Sequence, residues 1–298
     1  MADDKPKAHD GYNEQQTLDC ERLLVSLLRG LGPYREHVRL VGGLCPRYLC
    51  PAAPPRVPAH VGTTDVDLVV NILLLNQPEA YATLSQNLHR MGFKKGLGEG
   101  GRPVSWRWER RIEGRGSLLL EFLKDAGDGT PGRIETIPET GITALAIPHA
   151  AMVLDWFDVV DVTAELLDGS GKATETVRYA DIVSFTCLKI LAFNDRAARK
   201  DAADLEHVLR YFSADLTLTA ARFNERIATG PHSAAARQCL DLLRKRFATT
   251  PEAQGWEKDG PGAAALFWLG DAVEDRDARI ARQRNVAGLM EALLGLIR

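Results

Sequence analysis

The chain has little charge of either sign to spare. Its 37 basic and 40 acidic residues leave a net charge of −3 over 298 residues. That balance excludes a protein whose whole surface grips nucleic acid, though not a local basic groove. Cysteine is sparse: Cys20, Cys45, Cys50, Cys187 and Cys239 are an odd number with no C-x-x-C pair. A disulfide framework and a thiolate zinc site are therefore not expected, and reduced thiols in a cytoplasmic protein are. There is no run of about twenty apolar residues, and Met1 to Lys7 forms no apolar signal segment, so neither export nor a membrane span is expected. The seven histidines show no metal-ligand spacing, and His37, His60 and His149 read as surface or capping residues. Internal repeats and low-complexity tracts are absent.

What remains is a globular composition, 45% hydrophobic and 26% charged, long enough for two domains. Apolar residues at helical spacing predict a helix over 13–31, ended by Gly32-Pro33, and another over 78–91, stopped by Gly92. Strands are predicted up to Val41, from Asp65, and on either side of Glu113-Gly114-Arg115-Gly116, which reads as a hairpin turn. Two more strands, 156–162 and 174–179, join across Asp168-Gly169-Ser170-Gly171. From Asp181 onward only helices are predicted: 181–195, 200–212, 217–229, 232–247, 262–272 and 275–297. The expected class is α+β, a mixed sheet with flanking helices over 1–180 followed by a helical C-terminal domain over 181–298.

Chemistry concentrates in Asp65-Val66-Asp67-Leu68-Val69-Val70. Residues two apart on a strand project to one face, so both carboxylates point the same way. Side by side they repel unless a hard cation such as Mg²⁺ lies between them. A solvated strand end is the plain alternative. Upstream, Gly42-Gly43 ends a strand and precedes a short helix at Leu44 to Leu49, where glycines let the backbone approach a phosphate. A third carboxylate, Glu121, is embedded in the apolar run Leu118 to Leu123, where it is costly unless paired; an edge strand with Glu121 facing water is the alternative. Lys189 and Arg196 lie seven apart on one helix, nearly aligned, and Asp201 and Asp204 share a face of the next. They read either as ordinary exposed charges or as phosphate ligands with carboxylate partners.

Gly-Gly, Asp-x-Asp on the next strand, an acidic residue on a later strand, then Lys189, Arg196 and Lys200-Asp201-x-x-Asp204-Leu205 form an ordered set over roughly residues 20–212. This set resembles the DNA polymerase β-like nucleotidyltransferase fold, and within it the AbiEii toxins of type IV toxin–antitoxin systems. The resemblance implies a two-metal Mg²⁺ site on Asp65, Asp67 and Glu121. It also implies an NTP held by Gly42, Gly43, Lys189 and Arg196, with Asp201 and Asp204 as orienting partners. The implied reaction moves an NMP to an acceptor hydroxyl and releases pyrophosphate. RNA is the favoured acceptor because Arg102, Arg107, Arg110 and Arg111 cluster in the hairpin, and a cognate antitoxin is the implied partner. A silent nucleotide-binding module of the same fold, or transfer to a small molecule or protein, are the other readings. Two departures stand out: Glu121 where many relatives have Asp, and the proline-rich stretch 50–58, longer than such proteins usually carry and expected to lie beside the nucleotide site.

Two other glycine-rich stretches carry no such chemistry. Gly169-Ser170-Gly171-Lys172-Ala173-Thr174 lacks the leading glycine and the hydroxyl of a P-loop, so it reads as a hairpin turn. Lys94 to Gly101 leads into a strand and not a helix, which fails the dinucleotide fingerprint; it reads as a mobile basic loop. Trp106 and Trp108 flank Arg107 on one strand face, and packing is their expected role.

Overall fold

The computed structural model describes residues 6–70, 78–97, 103–114, 116–136 and 143–298. The chain forms two compact units, and it does not divide at a single point. The first comprises Tyr12–Cys45 and Val61–Ala180, and the second Pro6–Gly11, Pro46–His60 and Asp181–Arg298.

The first unit is built on a mixed sheet. Among the described residues its strands are β1 (Val38–Val41), β2 (Asp65–Val70), β3 (Lys94–Leu97), β4 (Pro103–Ile112), β5 (Gly116–Asp125), β6 (Ile134–Thr136), β7 (Thr143–Ile147), β8 (Phe157–Glu165) and β9 (Lys172–Ala180). They lie in the order β3-β4-β5-β2-β1-β9-β8, with β7 against β5 and β6 against β7. β2 is central, antiparallel to β1 and parallel to β5. Val66, Leu68, Val69 and Val70 are all buried, so past Asp67 both faces of the strand are covered, as continuous apolar strands require.

Helix α1 (Glu14–Leu31) packs on β8, β9 and β2. The Asn13 side chain caps it by accepting the Gln16 N–H, and Gly32 at φ 56 ends it. Its Leu23, Leu24, Leu27, Leu28 and Leu31 are buried. α2 (Cys45–Leu49) follows the glycine pair, α3 (Pro78–Arg90) packs on α1, and α4 (Met152–Asp155) is a single turn beside β1.

The second unit is helical: α5 (Ile182–Arg196), α6 (Arg199–Tyr211), α7 (Leu216–Thr229), α8 (Ser233–Phe247), α9 (Asp259–Leu269) and α10 (Arg276–Leu296). Asp181 caps α5 by accepting the Val183 and Ser184 N–H groups, and its other oxygen takes Arg226 at 2.9 Å. Phe193 and Phe247 meet in its core, ring centroids 5.6 Å apart. Among the described residues no helix is long and apolar enough to cross a membrane.

Two expectations need correction. Lys94 to Leu97 is a strand against β4, not a loop; Gly98 to Gly101 lies outside the described residues, as do Arg102 and Arg115. The helix predicted from 262 begins at Asp259, and Gly260-Pro261-Gly262 makes its first turn, a position where proline's missing N–H costs nothing. The proline-rich stretch groups with the helical unit, where the Cys50 thiol donates to the Val208 carbonyl at 3.7 Å and His60 meets α6.

Candidate metal centre

Register brings the acidic residues together. Asp67 lies opposite Val41 on β1 and opposite Glu121 on β5, and Glu121 lies opposite Arg107 on β4. Directly opposed residues point to the same face, so Asp67, Glu121 and Arg107 form a row across three strands with Asp65 two residues behind. One carboxylate oxygen from each of Asp65, Asp67 and Glu121 lies within 4.8 Å of the others. No other group of three His, Cys, Asp or Glu side chains among the described residues converges in this way.

The site is built inward from the surface. Asp65 and Glu121 are buried, 5% and 8% exposed, and Asp67 is half-buried. The Thr63 hydroxyl donates to Asp65 Oδ1 at 2.7 Å, which fixes one oxygen of that carboxylate. Arg107 donates to Glu121 Oε1 from Nε and from a terminal nitrogen, both at 2.7 Å. The field of this cluster reaches Cys20 on α1. Burial, then Asp65, Asp19 and Asp67, push the Cys20 thiol well above its ordinary value, which keeps it protonated and unreactive.

Gly42 is required by the same carboxylate. It adopts φ +75, and a Cβ there would lie 1.9 Å from Asp67 Oδ2. Only glycine permits both the backbone conformation and that approach. Gly42 to Leu44 forms a tight turn from β1 into α2. With five residues, α2 has little macrodipole.

The donor set fits a hard divalent cation: three carboxylates on one face, all oxygen, without histidine or thiolate. Carboxylates this close repel one another, and a cation between them offsets that cost. These residues can hold a metal ion.

The charged residues read as phosphate ligands form a second cluster, inside the helical unit. Lys189 is buried, its ammonium 3.0 Å from Asp201 Oδ1 and 2.8 Å from Asp204 Oδ2. Arg196 forks onto Asp201 at 2.7 and 2.9 Å, and Lys200 holds Asp204 at 2.8 and 2.9 Å. Burial pulls the Lys189 ammonium down, but Asp204 and Asp201 outweigh it and hold it above its ordinary value. Burial raises the carboxyl of Asp204, yet Lys189 and Lys200 hold it well below its ordinary value, and Lys189 and Arg196 depress Asp201 in the same way.

Sequence reasoning missed three members of these clusters. His60, expected to be a surface or capping residue, has its side chain buried, with Nε2 2.8 Å from Asp204 Oδ1. Arg107 was grouped with the other hairpin arginines, although a hairpin that closes at Ile112 and Gly116 already sets it opposite Glu121. Thr63 has the weakest signal, a hydroxyl two residues before Asp65. Comparison of the chain with protein-family models and with curated proteins yields no match.

Proposed function

We propose that the chain is a Mg²⁺-dependent nucleotidyltransferase of the AbiEii-like kind, with the polymerase β-like fold in its sheet-bearing unit. The observation that carries the reading is the convergence of Asp65, Asp67 and Glu121 within 4.8 Å beside a glycine that Asp67 leaves no room to replace. In the proposed reaction an acceptor hydroxyl oxygen bonds to the α-phosphorus of an NTP. The bond from that phosphorus to the bridging oxygen breaks, pyrophosphate leaves with the bridging oxygen, and the hydroxyl proton passes to solvent.

Asp65, Asp67 and Glu121 are the ligands for Mg²⁺, as a two-metal site. When bound, Mg²⁺ supplies charge stabilisation for the phosphoryl oxygens. Thr63 orients Asp65, and Gly42 and Gly43 offer backbone N–H groups to the β- and γ-phosphates. Lys189 and Arg196 act on a triphosphate only by exchanging the carboxylates of Asp201 and Asp204 for phosphate oxygens, since each cation already has such a partner. Arg110 and Arg111, on the same strand as Arg107, make RNA the favoured acceptor class. A cognate antitoxin is the partner this reading implies.

The test is transfer of label from an α-phosphate-labelled NTP. Total RNA should become labelled with pyrophosphate released, and Asp67→Asn should abolish the signal while far-UV circular dichroism is retained. Label found only in free NMP, or RNA labelling that survives Asp67→Asn, refutes the proposal.

A further inference from the structure

The helical unit contains a cavity of about 620 Å³ that neither charged cluster lines, within the size range of small-molecule sites. Ala197, in the left-handed conformation at φ 50, turns the chain out of α5, so that Arg199, the first residue of α6, stands on the cavity wall. The 3₁₀ turn Gly255–Glu257 and the residue after it add Trp256 and Lys258, and α10 adds Gln283. Phe193 on α5 and Leu266 on α9 supply apolar wall.

The polar groups here are uncommitted. Among the described residues, the side chains of Arg199, Lys258 and Gln283 make no hydrogen bond or ion pair. Of the two carboxylates on the lining, Asp259 is held by Arg246 at 2.6 Å, while Glu257 is exposed and makes no ion pair among the described residues. Trp256 is half-buried, and the Arg284 guanidinium carbon lies 5.2 Å from its ring centre, within cation–π range.

Each feature answers one part of a nucleotide. Free guanidinium and ammonium groups take a phosphate, an indole beside a guanidinium stacks a base, and a primary amide offers both donor and acceptor to a base edge or a sugar hydroxyl. We propose that this cavity binds one nucleotide unit, its phosphate on Arg199 and Lys258 and its base on Trp256, as a site built from the helical unit alone. The counter-charge for the phosphate comes from the protein, so binding here needs no divalent cation. That separates the site from the acidic triad, and the proposal does not rest on the metal centre or on nucleotidyl transfer. A free mononucleotide and a nucleotide within an RNA strand present the same chemistry to it.

Calorimetry and fluorescence anisotropy on the whole chain in EDTA, with AMP, adenosine, ribose 5-phosphate and a short oligoadenylate as probes, test it. The parent should bind AMP at least about tenfold more tightly than adenosine or ribose 5-phosphate, because each lacks one half of the recognised group. Arg199→Gln should weaken AMP about tenfold and leave adenosine unchanged, whereas Trp256→Leu should weaken adenosine and leave ribose 5-phosphate unchanged. Glu257→Gln removes the opposing charge and should tighten AMP, a gain that damaged packing does not produce. Asp67→Asn should change nothing. An oligoadenylate that binds at least about tenfold better than AMP identifies an RNA strand as the source, since neighbouring phosphates add contacts; one that binds no better identifies the free nucleotide. No saturable AMP binding in EDTA overturns the proposal, as does AMP binding that Arg199→Gln and Glu257→Gln leave unchanged. AMP binding that requires Mg²⁺ and is lost in Asp67→Asn also overturns it, and places the nucleotide at the acidic triad.

Discussion

His207 should make the protein acid-sensitive well above the range where its carboxylates titrate. The residue lies on α6, 5% exposed, with Nε2 buried and without a hydrogen-bond partner. Its ring stands edge-on to His60 at 5.0 Å and 5.1 Å from Tyr211. Burial, then the nearby His60, pull its pKa from 6.5 to about 4, with Asp204 opposing and Lys200 assisting. In the unfolded chain the imidazole protonates near 6.5, whereas in the folded chain it stays neutral to about 4. Between those values the unfolded state binds more protons, so stability falls as pH falls. Above about 6.5 the effect is absent, and below about 4 it is complete. At about 1.4 kcal/mol per pH unit the full loss is about 3 kcal/mol, a large share of the ~5–15 kcal/mol that holds an ordinary domain together. By pH 5 about 2 kcal/mol of it should already be gone. His60 is displaced in the same direction, by burial that outweighs Asp204. The depressed Asp201 and Asp204 lose their contribution only below the ordinary carboxylate range, so they leave this window clear.

The assay is urea unfolding at half-unit steps from pH 7.5 to 4.5, for the parent and for His207→Leu. Leucine removes the titrating group at a position whose Nε2 makes no hydrogen bond to lose. The variant's stability should depend less steeply on pH, and the two curves should converge by about 2 kcal/mol between pH 7 and pH 5. Parallel curves over that interval refute the reasoning.

Lys189→Ala strands Asp201 and Asp204 with less compensation in a buried site and should cost about 3–5 kcal/mol in denaturant unfolding. If Lys189 also meets phosphate, affinity for a triphosphate should fall more than affinity for the nucleoside; equal losses would show that only packing was damaged. Gly42→Ala drives a methyl group into Asp67 and should weaken calorimetric Mg²⁺ binding at least about tenfold with a smaller effect on melting temperature, whereas unchanged binding would show that Asp67 is not a ligand. Asp65→Asn keeps shape and the Thr63 contact but removes charge, so Mg²⁺-dependent NTP binding should fall while the fold is retained; parent-like binding would place the metal elsewhere.

Local patterning carried most of the element assignments. The helix over 13–31 was legible because Leu24, Leu27, Leu28 and Leu31 recur at helical spacing between a capping Asn13 and Gly32. The hairpin was legible from its glycines. What escaped depends on tertiary packing. Lys94 to Leu97 carries two lysines and a glycine, poor strand formers, and is a strand because β4 offers an edge to pair with. Pro261 looks like a helix breaker and sits in a first turn that tolerates it. Residues 46–60 precede the Asp65 strand by sequence, yet His60 and Cys50 bond to α6, and no short-range pattern announces a contact more than 140 residues away.

Site residues divided along the same line. Asp65 and Asp67 share a face by period alone, and Glu121 stood out because a charge in an apolar run demands a partner. Their convergence needed the parallel pairing of β2 with β5 in a particular register, and a shift of one residue would have turned Glu121 to the opposite face. Arg107 shows the limit most clearly. Its place opposite Glu121 follows from the hairpin, while its tight hold depends on Gly96 from a strand the sequence did not announce.

The two charged clusters differ in a way that separates their roles. In the helical unit Asp201 and Asp204 contribute −2, and Lys189, Arg196 and Lys200 contribute +3, with His60 held neutral by burial. Each of these two carboxylates has two cationic contacts. In the sheet-bearing unit three carboxylates converge within 4.8 Å of one another. Buried charge is tolerated only where it is compensated. In the first cluster carboxylates meet cations, whereas in the second they meet one another, an arrangement that a divalent cation relieves. That asymmetry is why the metal, and with it the proposed chemistry, is assigned to Asp65, Asp67 and Glu121.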